Sequence, residues 1–176
     1  MIRQTSGAAV QAASLNLSFR AQLVLPEQRQ LYDYWVSRAA GRSMPERADI
    51  HPSHFPKLLP NVSLVAVEEG CCRVRLAGTR LREAYDREIT GLNVEDLDWG
   101  DKRDYWLASY RRAIEEGKPA QGVVRGPRAN KEHLVQYWLK LPLHRLAGGN
   151  VVMLLCLDLF QAASEEDEAN ARIYAG

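Results

Sequence analysis

The sequence has few of the residues from which catalytic and covalent sites are usually built. Its 176 residues include three cysteines and four histidines, and they contain no recognisable catalytic motif. Cys71 and Cys72 are adjacent and would point to opposite faces of a strand, so together with Cys156 they do not suggest a disulfide framework. We therefore expect a reducing, cytoplasmic location.

Strong net charge and long apolar runs are also missing. The formal charge is +1, which gives no general electrostatic case for nucleic acid or anionic lipid. No apolar run approaches the ~20 residues of a membrane-spanning helix, and the first residues lack the continuous apolar segment of a signal peptide. The clustered Arg73, Arg75, Arg80 and Arg82 are more typical of a solvated face. We expect neither a nucleic-acid partner nor a membrane.

What the sequence does contain is a strong β-hairpin pattern over residues 132–160. The second arm, 151–160, is apolar on both faces, as expected of a strand covered on both sides. Gly148, Gly149 and Asn150 tolerate the positive φ of a tight reversal. In the first arm, alternation predicts one better-buried face. That face comprises Val135, Tyr137, Leu139, Leu141 and Leu143.

The remaining pattern divides the chain into three parts. Residues 1–25 are rich in Ala, Ser and Gln and weakly patterned, so we predict a flexible arm. Residues 26–160 form one domain, with an N-terminal helix over 26–40 and a core over 61–160. Residues 161–176 form an acidic tail in which a further helix is an option.

Within the domain, hydrophobic periodicity and turn residues predict further elements between the first helix and the last hairpin. They are strands over 62–67 and 71–77, a helix from Thr79, a longer helix over 101–117 and a strand over 120–125. The five predicted strands are arranged along the chain as a hairpin followed by a later meander. This order favours an antiparallel sheet. The predicted fold class is α+β, with helices on one face of the sheet and the N-terminal helix covering the other.

Five stretches of the chain together span roughly residues 28–160. They are LYDYW (31–35), GRSMPERADIHP (41–52), LLPNVSLVAVE (58–68), VRLAGTRLREAYDREITG (74–91) and the closing LDLF (157–160). The most specific of them is VRLAGTRLREAYDREITG. In these stretches the chain resembles a PAS domain, most closely the single-domain PAS-like proteins common in alphaproteobacteria.

The resemblance implies a pocket between the long helix and the inner face of the sheet, and a role in sensing or protein contact. It does not imply a particular ligand. The flavin photoreceptor branch has a cysteine on the helix after the second strand, and the TRLREAYD helix of this chain has none. Haem-binding members usually have a histidine on the long helix, and residues 101–117 contain none. We expect no flavin or haem and identify no other cofactor.

If a small molecule binds, aromatic and apolar side chains converging from helix and sheet are the candidate ligand-binding residues. They are Tyr85, Trp106, Tyr110, Tyr137, Leu139 and Leu155. The alternative, that these residues only fill the core, stays open. A second set of residues comes from the N-terminal helix and the hairpin over residues 132–160. These residues either pack on the chain's own sheet or form a dimer or partner interface. They are Leu31, Tyr34, Trp35 and Trp138.

Three functions remain after these exclusions. The first is a non-enzymatic sensory or regulatory module of bacterial signalling, acting through a ligand, a homodimer or a partner protein. The second is a small hydrolase or isomerase with an apolar pocket; Asp158 is its best candidate carboxylate, although the pattern places it on the outer face. The third, nucleic-acid binding, is disfavoured by charge. Asp49, His51 and His54 lack metal-ligand spacing, so we expect no metal site.

Overall fold

One antiparallel sheet organises the protein, whose computed structural model describes residues 5–145 and 149–164. Within the described residues the sheet has five strands, in the order β2-β1-β5-β4-β3. The strands are β1 (Val62–Glu68), β2 (Cys71–Ala77), β3 (Ala120–Arg125), β4 (Leu134–His144) and β5 (Val151–Ala162). The last strand therefore lies at the centre of the sheet, between the first strand and the long β4.

The predicted C-terminal hairpin is confirmed as the β4–β5 pair. The two strands pair from Leu134 and Ala162 to His144 and Val151. Both faces of β4 are buried, whereas the alternation predicted one better-buried face. That prediction is wrong because helices cover the sheet on both sides, so the polar residues of the alternating pattern are enclosed as well.

Four α-helices complete the described fold. They are α1 (Thr5–Ala21), α2 (Pro26–Ala39), α3 (Thr79–Tyr85) and α4 (Arg103–Glu116). Pro26 begins α2 because its fixed φ suits the first helical turn, and Gly117 ends α4 in the left-handed conformation at φ 58°. α3 and α4 lie on one face of the sheet, and α2 covers the other. The predicted α+β fold class is confirmed.

The N-terminal arm is the main departure from the predicted elements. Residues 5–21 form helix α1 within the segment predicted as a flexible arm. The Phe19 ring packs 5.0 Å from the ring of Tyr32 on α2, and the Arg20 guanidinium donates to both carboxylate oxygens of Asp33 at 2.7 and 2.9 Å. Ala-rich sequence favours helix without an apolar stripe, so the propensity was present but periodicity did not reveal it.

The predicted acidic tail is described only at its beginning. β5 continues to Ala162, past the predicted end at Phe160. This extension pairs with the start of β4, where Ala162 lies opposite Leu134. The helix considered for the tail falls in residues 165–176, outside the described residues.

Helix α2 packs on the chain's own sheet. Leu31 and Trp35 are buried, and the Trp35 indole Nε1 donates to the backbone oxygen of Pro142 on β4 at 2.9 Å. Tyr34 is half-buried and lies over the following loop, where its hydroxyl donates to the Asp49 backbone oxygen at 3.3 Å. The sequence left two alternatives for this helix, packing on the chain's own sheet or forming an interface. Its main apolar residues, Leu31 and Trp35, pack on the sheet.

A buried glutamine, Gln28, attaches α2 to the sheet. Its Oε1 accepts hydrogen bonds from the backbone N–H groups of Val24 and Leu25, each at 3.1 Å. Its Nε2 donates to the backbone oxygen of Trp138 at 3.2 Å. The amide thus satisfies two backbone donors where the chain enters the helix and one backbone acceptor on β4.

Replacing Gln28 with Leu should lower the free energy of unfolding by about 2 kcal/mol, because buried backbone donors and an acceptor lose their partner. Urea unfolding at equilibrium would measure it. Gln30→Leu, on the exposed side of the same helix, is the matched control and should change stability by less than about 0.5 kcal/mol. Equal effects of the two variants would contradict the role given to Gln28.

Candidate functional site

The face of the sheet that α3 and α4 cover carries a group of aromatic and ionisable side chains. Tyr85 comes from α3, Trp106 and Tyr110 from α4, and Trp138 and Lys140 from β4. All five are buried. β4 residues two positions apart share a face, so Trp138 and Lys140 point the same way. Helix and strand geometry together build a site between the long helix and the sheet.

A lysine lies at the centre of this group. Lys140 is 1% exposed. Its Nζ atom is 4.0 Å from the ring centroid of Trp138, 4.4 Å from that of Tyr110 and 5.0 Å from that of Trp106. Burial lowers the pKa of Lys140, and the electrostatic influence of Cys156 and Asp158 opposes that shift. The three rings stabilise the ammonium group through cation–π contacts in place of water.

Asp158 belongs to the same face, one strand away. Its position corrects the prediction that Asp158 faces outward. It lies opposite Trp138 in the β4–β5 register, and its Oδ1 accepts a hydrogen bond from Gln136 Nε2 at 2.6 Å. Burial raises the pKa of the carboxyl, while Lys140 and the Gln136 hydrogen bond oppose the shift. A lysine and a carboxyl group are thus enclosed together.

The indole rings form a layer above the lysine. Trp99 and Trp106 stack with centroids 5.3 Å apart, and Trp106 meets Trp138 at 6.0 Å. The Trp106 Nε1 donates to the backbone oxygen of Pro127 at 2.7 Å, and the Trp138 Nε1 donates to the Tyr105 hydroxyl at 2.8 Å. These bonds fix both rings at defined angles against the lysine.

A glycine on the neighbouring strand makes room for one of these rings. Gly122 on β3 pairs with Trp138 across the sheet. A Cβ atom at this position would lie 2.6 Å from Cζ2 of the indole. The Trp138 ring can therefore lie over β3 only because residue 122 has no side chain.

The structure brings together three of the six predicted ligand-binding residues, namely Tyr85, Trp106 and Tyr110. The other predicted positions are Tyr137, Leu139 and Leu155. They are buried on the opposite face, the one that α2 covers. Tyr137 packs with residues 24 and 25 there. Leu139 and Leu155 follow from strand alternation relative to Lys140 and Asp158.

Trp138 also lies on the face of the sheet opposite to the predicted one. It was predicted to lie under α2 as an interface candidate, and it lies against α4. Alternation separates the two faces of a strand but does not say which helix covers which face when both are buried. Sequence reasoning also missed Lys140, Gln136 and Trp99 as parts of the site. A lysine within the long apolar arm was the one available signal.

The Asp49, His51 and His54 segment forms local contacts. The Asp49 carboxylate accepts from Arg42 Nη2 at 2.6 Å, and a ring nitrogen of His54 lies 3.2 Å from the Tyr34 hydroxyl. Among the residues that the structure describes, no group of three His, Cys, Asp or Glu side chains is arranged to hold a metal ion. These contacts stabilise the loop after α2.

Replacing Asp158 with Asn should alter the dependence of stability on pH. Because the pKa of the folded state is raised above the ordinary value of 3.8, the folded protein binds this proton more tightly than the unfolded chain. Asp158 therefore contributes less stability as pH rises from about 4 toward neutrality. The stability of Asp158→Asn relative to the wild type should increase over that range. Urea unfolding at a series of pH values would measure it, and a constant difference would contradict the burial of an ionisable carboxyl.

The five-stranded antiparallel sheet with helices on its faces is the architecture of a PAS domain. A sequence model described as a PAS domain matches residues 24–158. The chain therefore belongs to the PAS domain family. A comparison with curated proteins found no match. Among the helices that the structure describes, none combines the length and apolar character needed to cross a bilayer.

Solved structures of light-oxygen-voltage (LOV) domains are similar in fold. A LOV domain studied with a flavin analogue has 15% identity and a TM-score of 0.52, covering 66% of this chain and 87% of that chain. The light-state aureochrome 1 LOV domain has 13% identity and a TM-score of 0.51, covering 70% and 98%. The Rhodobacter sphaeroides LOV protein has 23% identity and a TM-score of 0.49, covering 72% and 77%.

The residues of this chain do not fit a flavin that reacts with a helix cysteine. Cys71, Cys72 and Cys156 all lie on strands β2 and β5. The rings of Trp106 and Trp138 occupy the space between α4 and the sheet and contact each other. A ring system of flavin size could enter between α4 and the sheet only if these side chains moved. The similarity to LOV domains is therefore one of fold.

Proposed function

We propose that this chain is a non-enzymatic sensory or regulatory module of bacterial signalling that acts in the cytoplasm through a small ligand, protein contact or both. PAS domains are generally sensory modules that commonly dimerise or contact partners. Neither nucleic acid nor membrane is part of the proposal.

The observation that carries the proposal is the enclosed pair of ionisable groups, Lys140 and Asp158, among aromatic rings. A core that only fills space excludes charges, because burying them is costly. Aromatic walls with a few convergent polar groups are typical of ligand pockets. We propose Tyr85, Trp106 and Tyr110 as ligand-binding residues together with this pair.

Native mass spectrometry of freshly purified protein, with an absorbance spectrum of the same sample, tests ligand binding. We expect an additional mass that disappears on denaturation. Lys140→Met should reduce the occupied fraction, because the variant removes the central polar group of the site. Lys57→Met, at an exposed position, should leave it unchanged. An unoccupied wild type, or equal occupancy in both variants, would contradict a ligand function for this site.

Protein contact is supported by a separate feature, the outer surface of α1. Its Val10 and Leu17 side chains lie seven residues apart, on one face of the helix, and are 67% and 68% exposed. Exposed apolar residues on a shared face mark contact surfaces. Sedimentation equilibrium should show a homodimer that Val10→Glu and Leu17→Glu weaken. A wild type that stays monomeric at high concentration would contradict homodimerisation.

The small enzyme remains a second candidate because Asp158 faces the interior. Its carboxyl is next to an amine, Lys140, and an amide, Gln136. Such a group can act as a general base if substrate reaches it. Hydrolysis of a 4-nitrophenyl ester by the wild type and its loss in Asp158→Asn would support this candidate. Equal rates for the two proteins would contradict it.

A further inference from the structure

A second buried cation lies at the loop end of the site. Arg128 belongs to the loop between β3 and β4 and follows Pro127, whose backbone oxygen accepts the Trp106 indole hydrogen bond. Only 6% of Arg128 is exposed. Its Nε and Nη1 atoms are buried and have no hydrogen-bond partner in the part of the chain that the structure describes.

The guanidinium group lies against the aromatic wall of the site. Its central carbon is 4.0 Å from the ring centroid of Tyr85, and Tyr85 meets Trp99 edge-on at 5.7 Å. Burial raises the pKa of Tyr85, and the charge of Asp158 is close enough to raise it further. Tyr85 therefore connects Arg128 to the enclosed lysine and carboxyl groups. A ring face gives the cation an attractive contact, but it accepts no ordinary hydrogen bond.

The nearby acidic residues do not supply the missing acceptors. The Asp86 carboxylate pairs with Lys131 Nζ at 3.0 Å, and Asp98 is exposed. Both act on Arg128 through their charge, and Arg87 opposes them. Arginine stays protonated in proteins, so the unpaired donors cannot be removed by loss of a proton. Buried donors of a charged group that lack an acceptor are costly.

We propose that Arg128 binds the anionic group of a small ligand whose apolar part lies along Tyr85 toward the interior of the site. The inference rests on the proposed ligand-binding function and specifies the class of ligand. Carboxylates and phosphates both accept charge-assisted hydrogen bonds from a guanidinium group, so both are named. Anion binding at this position completes the hydrogen bonds of Arg128 and balances its buried charge.

Three small aromatic compounds test the assignment: benzoate, phenyl phosphate and the neutral benzyl alcohol. Tryptophan fluorescence titration gives their affinities, and thermal unfolding gives their effect on Tm. We expect at least one anion to raise the Tm and to bind about tenfold or more tightly than benzyl alcohol, because only an anion pairs with the guanidinium group. Tighter binding of benzoate would indicate a carboxylate ligand, and tighter binding of phenyl phosphate would indicate a phosphate ligand.

Arg128→Met distinguishes a binding role from a structural one. Without ligand its Tm should equal or exceed that of the wild type, since the unpaired donors are gone, and its preference for anions over benzyl alcohol should disappear. Arg128→Lys keeps the charge and should bind anions more weakly than the wild type. Arg111→Met, on the exposed side of α4, should bind as the wild type does.

Equal anion affinity of the wild type and Arg128→Met would overturn the assignment. The same holds for a wild type that binds neither anion, or for an Arg128→Met protein that is less stable without ligand and still prefers anions. If Arg128→Met does not fold, unchanged anion affinity in Arg128→Lys is the contrary result. Native mass spectrometry could also show a neutral bound molecule, equally in wild type and variant. That result would support the ligand-binding function and contradict an anionic ligand.

Discussion

Replacing Trp106 with Ala should lower the free energy of unfolding by about 4 kcal/mol, within the range observed when large buried aromatic side chains are truncated. The indole stacks on Trp99 at 5.3 Å and meets Trp138 at 6.0 Å. Its Nε1 donates to the Pro127 backbone oxygen at 2.7 Å. The substitution removes these contacts, leaves a buried acceptor unpaired and withdraws one of the rings around Lys140. Urea unfolding followed by circular dichroism would measure the loss.

The same variant should acquire affinity for indole, because an apolar cavity of suitable shape binds the group that was removed. Indole should raise the Tm of Trp106→Ala in a concentration-dependent manner. The Tm of Arg111→Ala, also on α4 but at an exposed position, should not respond. A loss below about 1 kcal/mol for Trp106→Ala would contradict the closely packed aromatic layer.

Replacing Gly78 with Ala adds only a methyl group, yet it should lower the free energy of unfolding by about 3 kcal/mol. Gly78 is the N-cap of α3, and its φ of −69° suits any residue, so the constraint is space. A Cβ atom would collide with the backbone oxygens of Leu59 and Pro60. The Gly78 N–H also donates to the Val62 backbone oxygen at 2.8 Å, which holds the segment in place.

Backbone atoms cannot rotate away as a flexible side chain can, so the collision must displace α3 or the turn at residues 59–61. Because α3 carries Tyr85, near-UV circular dichroism of the aromatic site should change as well. Gly7→Ala is the matched control: no atom lies within 4 Å of its added Cβ, and alanine favours the helix at this position. That variant should be neutral or slightly stabilising. Similar losses for both glycine variants would contradict the crowding at Gly78.

Much of the fold followed from the order of residues alone. Period-2 alternation and turn residues predicted the two strands of the C-terminal hairpin, and their antiparallel pairing is confirmed. Pro26 and Gly117 marked the beginning of α2 and the end of α4. These signals are local: a strand alternates its faces and a helix needs its capping residues wherever it is placed in the fold.

The site was predictable only on its helix side. Trp106 and Tyr110 lie on the apolar stripe of α4, and the position of that stripe decides which side faces the sheet. Their partners on β4 depended on a tertiary choice, since both faces of that strand are buried. Helix α4 covers the face of Trp138 and Lys140, and α2 covers the face of Tyr137 and Leu139.

The sequence by itself determined the strands, most of the helices and the family resemblance, because each depends on neighbours in the chain. Tertiary structure alone decided that Lys140 and Asp158 are enclosed together and that Arg128 is buried over Tyr85. A charged side chain in a strand or a loop has the same local pattern whether it meets water or an aromatic ring. Only the packing of distant elements removes the water from it, and that packing creates the chemistry of the site.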